Sequence, residues 1–282
     1  MTAINNMTAN PLIITVAPNG AYKLAVDHAA VPLTAQTLAA TAKACLDAGA
    51  AMLHMHIRDA QGKHSLDVQG YRDALKVVKA AVGDEMVLQI TSEAARAYQA
   101  PEQIAMVQAL RPEAMSVGLR ELDQPAIGDA GLSQFFGWLA RERVMTQVIL
   151  YDVADLQRWQ QLRASGVIPE APWFLLFVLG RYTVGQTSSP LDLVPFVHAH
   201  SGPEPWAMCA FGATEHACAA AAAALGGHAR VGFENNLLLK TGQTAPDNAA
   251  LVQQVAQVAA SLGRPLATAH DIRQRFAAAS SF

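Results

Sequence analysis

Charge is what this chain has least of. Only 15% of its 282 residues are Asp, Glu, Lys or Arg, while 52% are hydrophobic; an ordinary soluble domain carries roughly 25% charge. A chain so poor in charge must bury much of its surface, in a large core and in subunit contacts. Neither sign dominates, since the formal net charge is −3, and no basic stripe marks a nucleic-acid partner. The three cysteines, Cys45, Cys209 and Cys218, make no Cys-x-x-Cys pair, and their odd number argues against a disulfide framework. Each lies in an apolar or Ala-rich context and reads as a buried, inert thiol. The Ala-rich run Ala217–Leu225 is far shorter than the roughly 20 residues of a membrane span. Residues 1–10 are polar and lack the basic start and apolar run of a secretory signal. They are expected to form a flexible tail on a cytoplasmic protein whose one domain covers 11–282. No Gly-x-Gly-x-x-Gly follows the first apolar run, which disfavours an open dinucleotide-binding sheet.

What the chain does contain is a regular alternation. Short apolar runs rich in β-branched residues read as strands at Leu12–Ala17, Ala51–Asp59, Met86–Thr91, Ala114–Val117, Met145–Tyr151, Trp173–Leu179, Trp206–Ala210 and His228–Gly232. Between them lie helical patterns with start signals: Thr34 before a segment to Asp47, Asp67–Val82, a helix opened by Pro101, Leu132–Arg143, and one from Asp152 or Asp155 to Ser165. A short helix is expected at Pro190–Ala199, an Ala-rich one behind Thr214 as N-cap, and a last one from Asp247 to about Leu262. Eight strand–helix repeats with no linker predict a parallel sheet closed into a single (β/α)8 barrel.

In such a barrel the chemistry sits at the C-terminal ends of the strands. The second strand carries His54 and His56, two apart, so both imidazoles face one side of a strand. Glu234 follows the eighth strand, which neighbours the first in a closed barrel and so brings the carboxylate within reach. Two histidines and a glutamate with an open fourth position are a catalytic zinc set. Arg230 stands in an apolar strand, where a guanidinium needs a carboxylate or an anionic ligand; it binds a substrate carboxylate, orients a catalytic acid, or forms an ion pair with Glu234 or Glu93. Asn19, Thr91, Ser92, Ser116 and Asn235 also fall at strand ends and are candidate substrate-binding groups. For Thr91 and Ser92, capping the next helix is the competing use.

Thr15-Val-Ala-Pro-Asn-Gly-Ala21, Gly49–Asp59 with its His-x-His, Gln89-Ile-Thr91, Phe177-Val-Leu-Gly180 and Gly226–Asn236 with Arg-Val-Gly-x-Glu together resemble the β-keto acid cleavage enzymes, over nearly the whole chain. The resemblance implies a (β/α)8 barrel with a divalent metal, usually zinc, on His54, His56 and Glu234, with Arg230 as the strand-eight arginine. It implies that a β-keto acid and acetyl-CoA give acetoacetate and a new CoA thioester, with no covalent enzyme intermediate, in a homo-oligomer, tetramer or dimer. Two positions depart from the family pattern. Asn235 stands where an Asp often takes part in proton abstraction, and an amide is no base. Tyr22 stands where the founding activity, 3-keto-5-aminohexanoate cleavage, uses an acidic residue. Either Glu93 or Glu121 then serves as base, or the substrate differs. The alternatives are a zinc-dependent hydrolase and a non-catalytic metabolite-binding barrel.

Overall fold

Eight short parallel strands close on themselves in the computed structural model, which describes residues 10–277. The tail expected at the N-terminus lies, through residue 9, outside the described residues. In chain order the strands are β1 (Ile14–Val16), β2 (Met52–Met55), β3 (Ile57–Arg58), β4 (His64–Ser65), β5 (Val87–Thr91), β6 (Ala114–Gly118), β7 (Met145–Leu150), β8 (Phe174–Leu179), β9 (Trp206–Ala210) and β10 (His228–Val231). The barrel runs β1-β10-β9-β8-β7-β6-β5-β2, and β2 pairs back to β1. β3 and β4 form a small antiparallel hairpin outside it. The closed parallel barrel expected from the alternation is what forms.

The helices are α1 (Ala35–Asp47), α2 (Val68–Val82), α3 (Ala100–Leu110), α4 (Leu119–Leu122), α5 (Gly128–Arg141), α6 (Val153–Ala164), α7 (Val194–Ala199), α8 (Glu215–Ala224), α9 (Asn248–Ser261) and α10 (Ala269–Ala277). Their starts follow local chemistry. Thr34, Asp67, Asp152 and Asp247 each accept a hydrogen bond from a first-turn N–H, a contribution of about 1 kcal/mol apiece. Thr214 occupies the cap position of α8 but its hydroxyl donates to Ser188 O at 2.6 Å instead. The helix expected at Pro190–Ala199 divides into a 3-10 turn, Pro190–Leu193, and α7, with Pro195 in the first turn of α7.

Residue parity along the strands separates two layers of core. Ile14, Val16, Leu53, Met55, Leu88, Ile90, Val148 and Leu150 pack outward against the helices. Ile13, Met52, Val87, Ala114, Met145, Phe174 and Ala207 pack inward and fill the barrel. Side chains alternate with period two, so Thr15, His54, Gln89, Ser116, Gln147 and Arg230 continue the inward rows one step higher. A polar layer thus lies on an apolar floor. The floor is closed by α10, a helix beyond the last one expected from the sequence. Its Ile272 and Phe276 join the inward cluster, with the Phe276 ring 5.1 Å from that of Phe174. The helix start is braced by Thr268 and Asp271, and the four-residue spacing of Ile272 and Phe276 is the signal it leaves in the sequence.

Candidate active site

The top of the polar layer is where the two histidines meet the glutamate. His54 lies within β2, and His56 just beyond its end, where Asn19 clamps the backbone: its Oδ1 accepts from His56 N–H at 3.3 Å and its Nδ2 donates to His56 O at 2.9 Å. The two rings converge, Nε2 to Nε2, at 3.1 Å. Glu234 arrives from a turn after β10, in which Gly232 adopts φ +138° and a Cβ would meet Ala17 O at 2.4 Å. Glu234 N–H then donates to Ala17 O at 3.0 Å, pinning the turn to the end of β1. Across it sits Gly20 at φ +58°, where a Cβ would fall 2.6 Å from Glu234 Cγ; only glycine leaves that room. Glu234 Oε2 comes to 3.6 Å from His54 Nε2 and 3.7 Å from His56 Nε2. The three ligand atoms lie within 4.8 Å of one another.

Electrostatics favours the ligand forms of these groups. Burial, reinforced by the nearby Arg230 cation, holds His54 well below the usual imidazole range. Burial and the neighbouring His54 do the same to His56. Neutral imidazole is the form that binds a metal. Glu234 Oε1 accepts from Arg230 Nη2 at 2.6 Å, so the ion pair that the sequence left open is made with Glu234. Glu234 Oε2 remains buried with no hydrogen-bond partner, as do Arg230 Nε and Nη1. Buried polar groups are nearly always satisfied, so these three atoms face something the protein does not itself supply.

Above the cluster a cleft of about 440 Å³ opens, bordered by Gly20, Tyr22, Lys23, Glu93, Arg96, Glu121, Arg181, Tyr182 and Glu234. A narrower recess continues inward among His54, Thr91, Glu93, Ile149, Tyr151, Val178, Cys209, Phe211 and Arg230. Glu93 joins the two. Its Oε1 accepts from Arg181 Nη2 at 3.3 Å and its Oε2 lies 3.9 Å from His56 Nε2. Burial, and then the Glu234 carboxylate, push the Glu93 carboxyl up to about 7. Glu121 is bound elsewhere, accepting from Ala94 N–H and Gln103 Nε2.

The remaining candidates divide by what their polar atoms already do. Thr91 reaches the inner recess, though its Oγ1 accepts from Glu93 N–H at 3.0 Å. Ser92 donates to Ser116 O, and Ser116 Oγ is buried without a partner. Asn19 holds His56 and also donates to Pro32 O. Asn235 donates from Nδ2 to Glu215 Oε1 and Arg230 O, and its Oδ1 is buried without a partner. Arg181 and His64 were missed. Arg181 stands two residues past the end of β8 and stacks its guanidinium over the Phe211 and Tyr22 rings at 5.0 and 5.4 Å. His64 reaches His56 from the β3–β4 hairpin, with 3.4 Å between their Nδ1 atoms. Position at a strand end was the available signal for Arg181; for His64 there was none without the hairpin.

Behind Asn235 lies a buried carboxyl. Glu215 Oε1 accepts from Gly232 N–H and Asn235 Nδ2, and Oε2 from Asn236 Nδ2. Burial outweighs these donors and raises Glu215 from 4.5 to about 8. Below pH 4.5 folded and unfolded chains both hold the proton, and the contribution is fully present. As pH rises toward 8 the unfolded chain releases it first, so stability falls across that window. Buried histidines such as His54 and His56 act in the opposite sense, so the expected result is a difference: between pH 5 and 8 the urea midpoint of the native protein should fall relative to that of Glu215→Gln.

Comparison with known proteins agrees with this geometry. Residues 11–277 match the family model described as beta-keto acid cleavage enzyme. The chain is 28% identical over 268 residues to the 3-keto-5-aminohexanoate cleavage enzyme of Fusobacterium nucleatum, covering 93% of this chain and 96% of that one. It is 28% identical over 274 residues to the 3-oxoadipate:acetyl-CoA acetyltransferase of Cupriavidus necator, covering 93% of each. Among solved structures, apo ObcA superposes with a TM-score of 0.71 at 16% identity, over 88% of this chain but 65% of that longer one, a likeness of fold. With the match running through every barrel strand and all three converging side chains, the chain belongs to the beta-keto acid cleavage enzyme family.

Proposed function

We propose that the protein exchanges acyl groups between a β-keto acid and acetyl-CoA, releasing acetoacetate and a new acyl-CoA, with a divalent cation, zinc foremost, on His54, His56 and Glu234. The observation that carries this reading is the convergence of two imidazole nitrogens and a buried carboxylate oxygen that has no partner. The atoms balance: the acetyl group moves from sulfur to the acid's α-carbon, and the original acyl group moves from that carbon to sulfur. A cation at this position would supply Lewis acidity to the keto oxygen and stabilise negative charge developing there. Arg230 offers Nη1, left without a partner beside the Glu234 ion pair, as a charge-assisted donor to the substrate carboxylate. Glu93, bordering both cleft and recess, takes the α-proton in place of the base that Asn235 cannot be. Lys23, Arg96 and Arg181 give the cleft the cations that an anionic CoA ester needs. Low charge and exposed Val26 and Val184 favour a homo-oligomer, tetramer or dimer. No helix among the described residues is long and apolar enough to cross a membrane, and a cytoplasmic location suits a CoA-dependent enzyme.

The test is metal content of the purified protein with an acetyl-CoA assay over a panel of β-keto acids. One equivalent of zinc and acetoacetate release dependent on acetyl-CoA are expected; turnover without acetyl-CoA would make it a hydrolase, and tight binding with no product a binder. Glu93 adds a pH signature. It accepts a proton only when ionised, and a cation on Glu234 would offset part of the rise to about 7, so kcat/KM is expected to rise with pH up to about 7 and level above it. Glu93→Gln should lower kcat by about 10²- to 10⁴-fold and remove that limb of the profile.

A further inference from the structure

The hydrogen bonds around the two histidines fix where their protons sit. A backbone carbonyl can only accept, so each chain of bonds can be read from the carbonyl inward. His64 Nε2 lies 2.9 Å from Glu93 O. The proton of a neutral His64 is therefore on Nε2, and its Nδ1 is an acceptor. That acceptor faces His56 Nδ1 at 3.4 Å, which places the His56 proton on Nδ1 and leaves a lone pair on Nε2. The second chain runs from Met115 O, which accepts from Gln89 Nε2 at 3.4 Å. This bond sets the amide so that Gln89 Oε1 faces His54 Nδ1 at 2.8 Å. The His54 proton is on Nδ1, and its Nε2 too carries a lone pair.

The consequence is a conflict inside the protein. Two lone pairs stand 3.1 Å apart, and the Glu234 Oε2 carboxylate oxygen is 3.6 and 3.7 Å from them. Three acceptors face one another with no proton assigned between them, an arrangement that a bound cation would relieve. We propose that His64, reaching His56 from the β3–β4 hairpin, is a positioning residue that sets the His56 tautomer for metal binding, with Gln89 doing the same for His54. The proposal rests on the metal reading above and adds to it two residues that touch neither substrate nor metal. Outer partners of this kind orient the ring and raise ligand basicity. The hairpin thereby has a use: Arg58 pairs with His64 in its register, carrying His64 over the end of β2. The same contact ties the ligand sphere to the backbone of Glu93.

Two measurements test it, one without metal. In metal-free protein, ¹⁵N–¹H correlation of the histidine side chains is expected to show His64 protonated at Nε2; protonation at Nδ1 alone would overturn the proposal whatever the protein binds. The second is zinc affinity by competition with a chromophoric chelator. Removing an outer partner costs about 10- to 100-fold in metal affinity, so His64→Leu should weaken zinc by that factor. His64→Gln keeps one donor and one acceptor and should restore affinity to within about threefold of native, a small part of that loss. A residue needed only for packing would give the reverse order, with Leu the better substitute, and that result would sink the proposal. Native protein that binds no zinc, yet shows the expected His64 tautomer, would instead refute the metal reading and leave the proton assignment standing.

Discussion

His54→Ala is expected to leave the protein without bound zinc and without measurable acyl exchange. The ring is the innermost of the three converging groups, and both of its nitrogens are engaged: Nδ1 at Gln89 and Nε2 toward His56 and Glu234. A catalytic zinc site has three protein ligands; with two, the affinity drops far more than for any outer partner. Several kcal/mol of transition-state stabilisation go with the cation, which at about 1.4 kcal/mol per decade is a loss of about 10³-fold or more in kcat. Glu234→Ala should behave alike. Metal analysis beside kcat checks both, with circular dichroism to establish that the barrel remains. Retained turnover in a zinc-free variant would refute the metal-dependent mechanism.

Arg230→Met is expected to act on two quantities at once, stability and substrate binding. Arg230 is only 3% exposed and its Nη2 pairs with Glu234 at 2.6 Å. Removing one partner of a buried pair leaves the other charge uncompensated, at about 3–5 kcal/mol. That should appear as a lowered urea midpoint in metal-free protein and be partly offset when a cation reaches Glu234. The second effect is on substrate. One charge-assisted hydrogen bond from Nη1, at about 1.5–3 kcal/mol, corresponds to about 10- to 10²-fold in kcat/KM for the keto acid. KM for acetyl-CoA should hardly move, because the carboxylate contact belongs to the other reactant. Equal losses for both reactants would assign Arg230 to Glu234 alone.

Much of this was legible before any coordinates. Alternation of apolar runs with capped helices was enough for the barrel, because parallel strands buried on both faces leave a local signature and the caps are chemistry within four residues. His54, His56 and Glu234 were legible because barrel closure makes the first and last strands neighbours. What escaped depends on long-range placement. The histidine strand was read as one element to Asp59, yet β2 stops at Met55 and the chain turns into a hairpin. The break is invisible in a run of apolar residues, and with it went His64. Arg181 was passed over as part of a loop, since only the packed fold shows it over Phe211 and against Glu93. The role of Asn19 inverted for the same reason: a polar residue at a strand end reads as a substrate contact until its hydrogen bonds are counted.

The helix beneath the barrel has a kinetic corollary. Ile272 and Phe276 seal the floor, so the recess communicates with solvent on one side only. Both reactants and both products then share a single doorway. In the proposed reaction the smaller acid would take the inner recess, among Arg230 and Thr91, and the thioester the outer cleft above it. Queueing follows from that arrangement: the keto acid enters before acetyl-CoA, acetoacetate leaves after the new acyl-CoA, acetyl-CoA bound early blocks the way, and initial rates should obey a compulsory order in place of a random one.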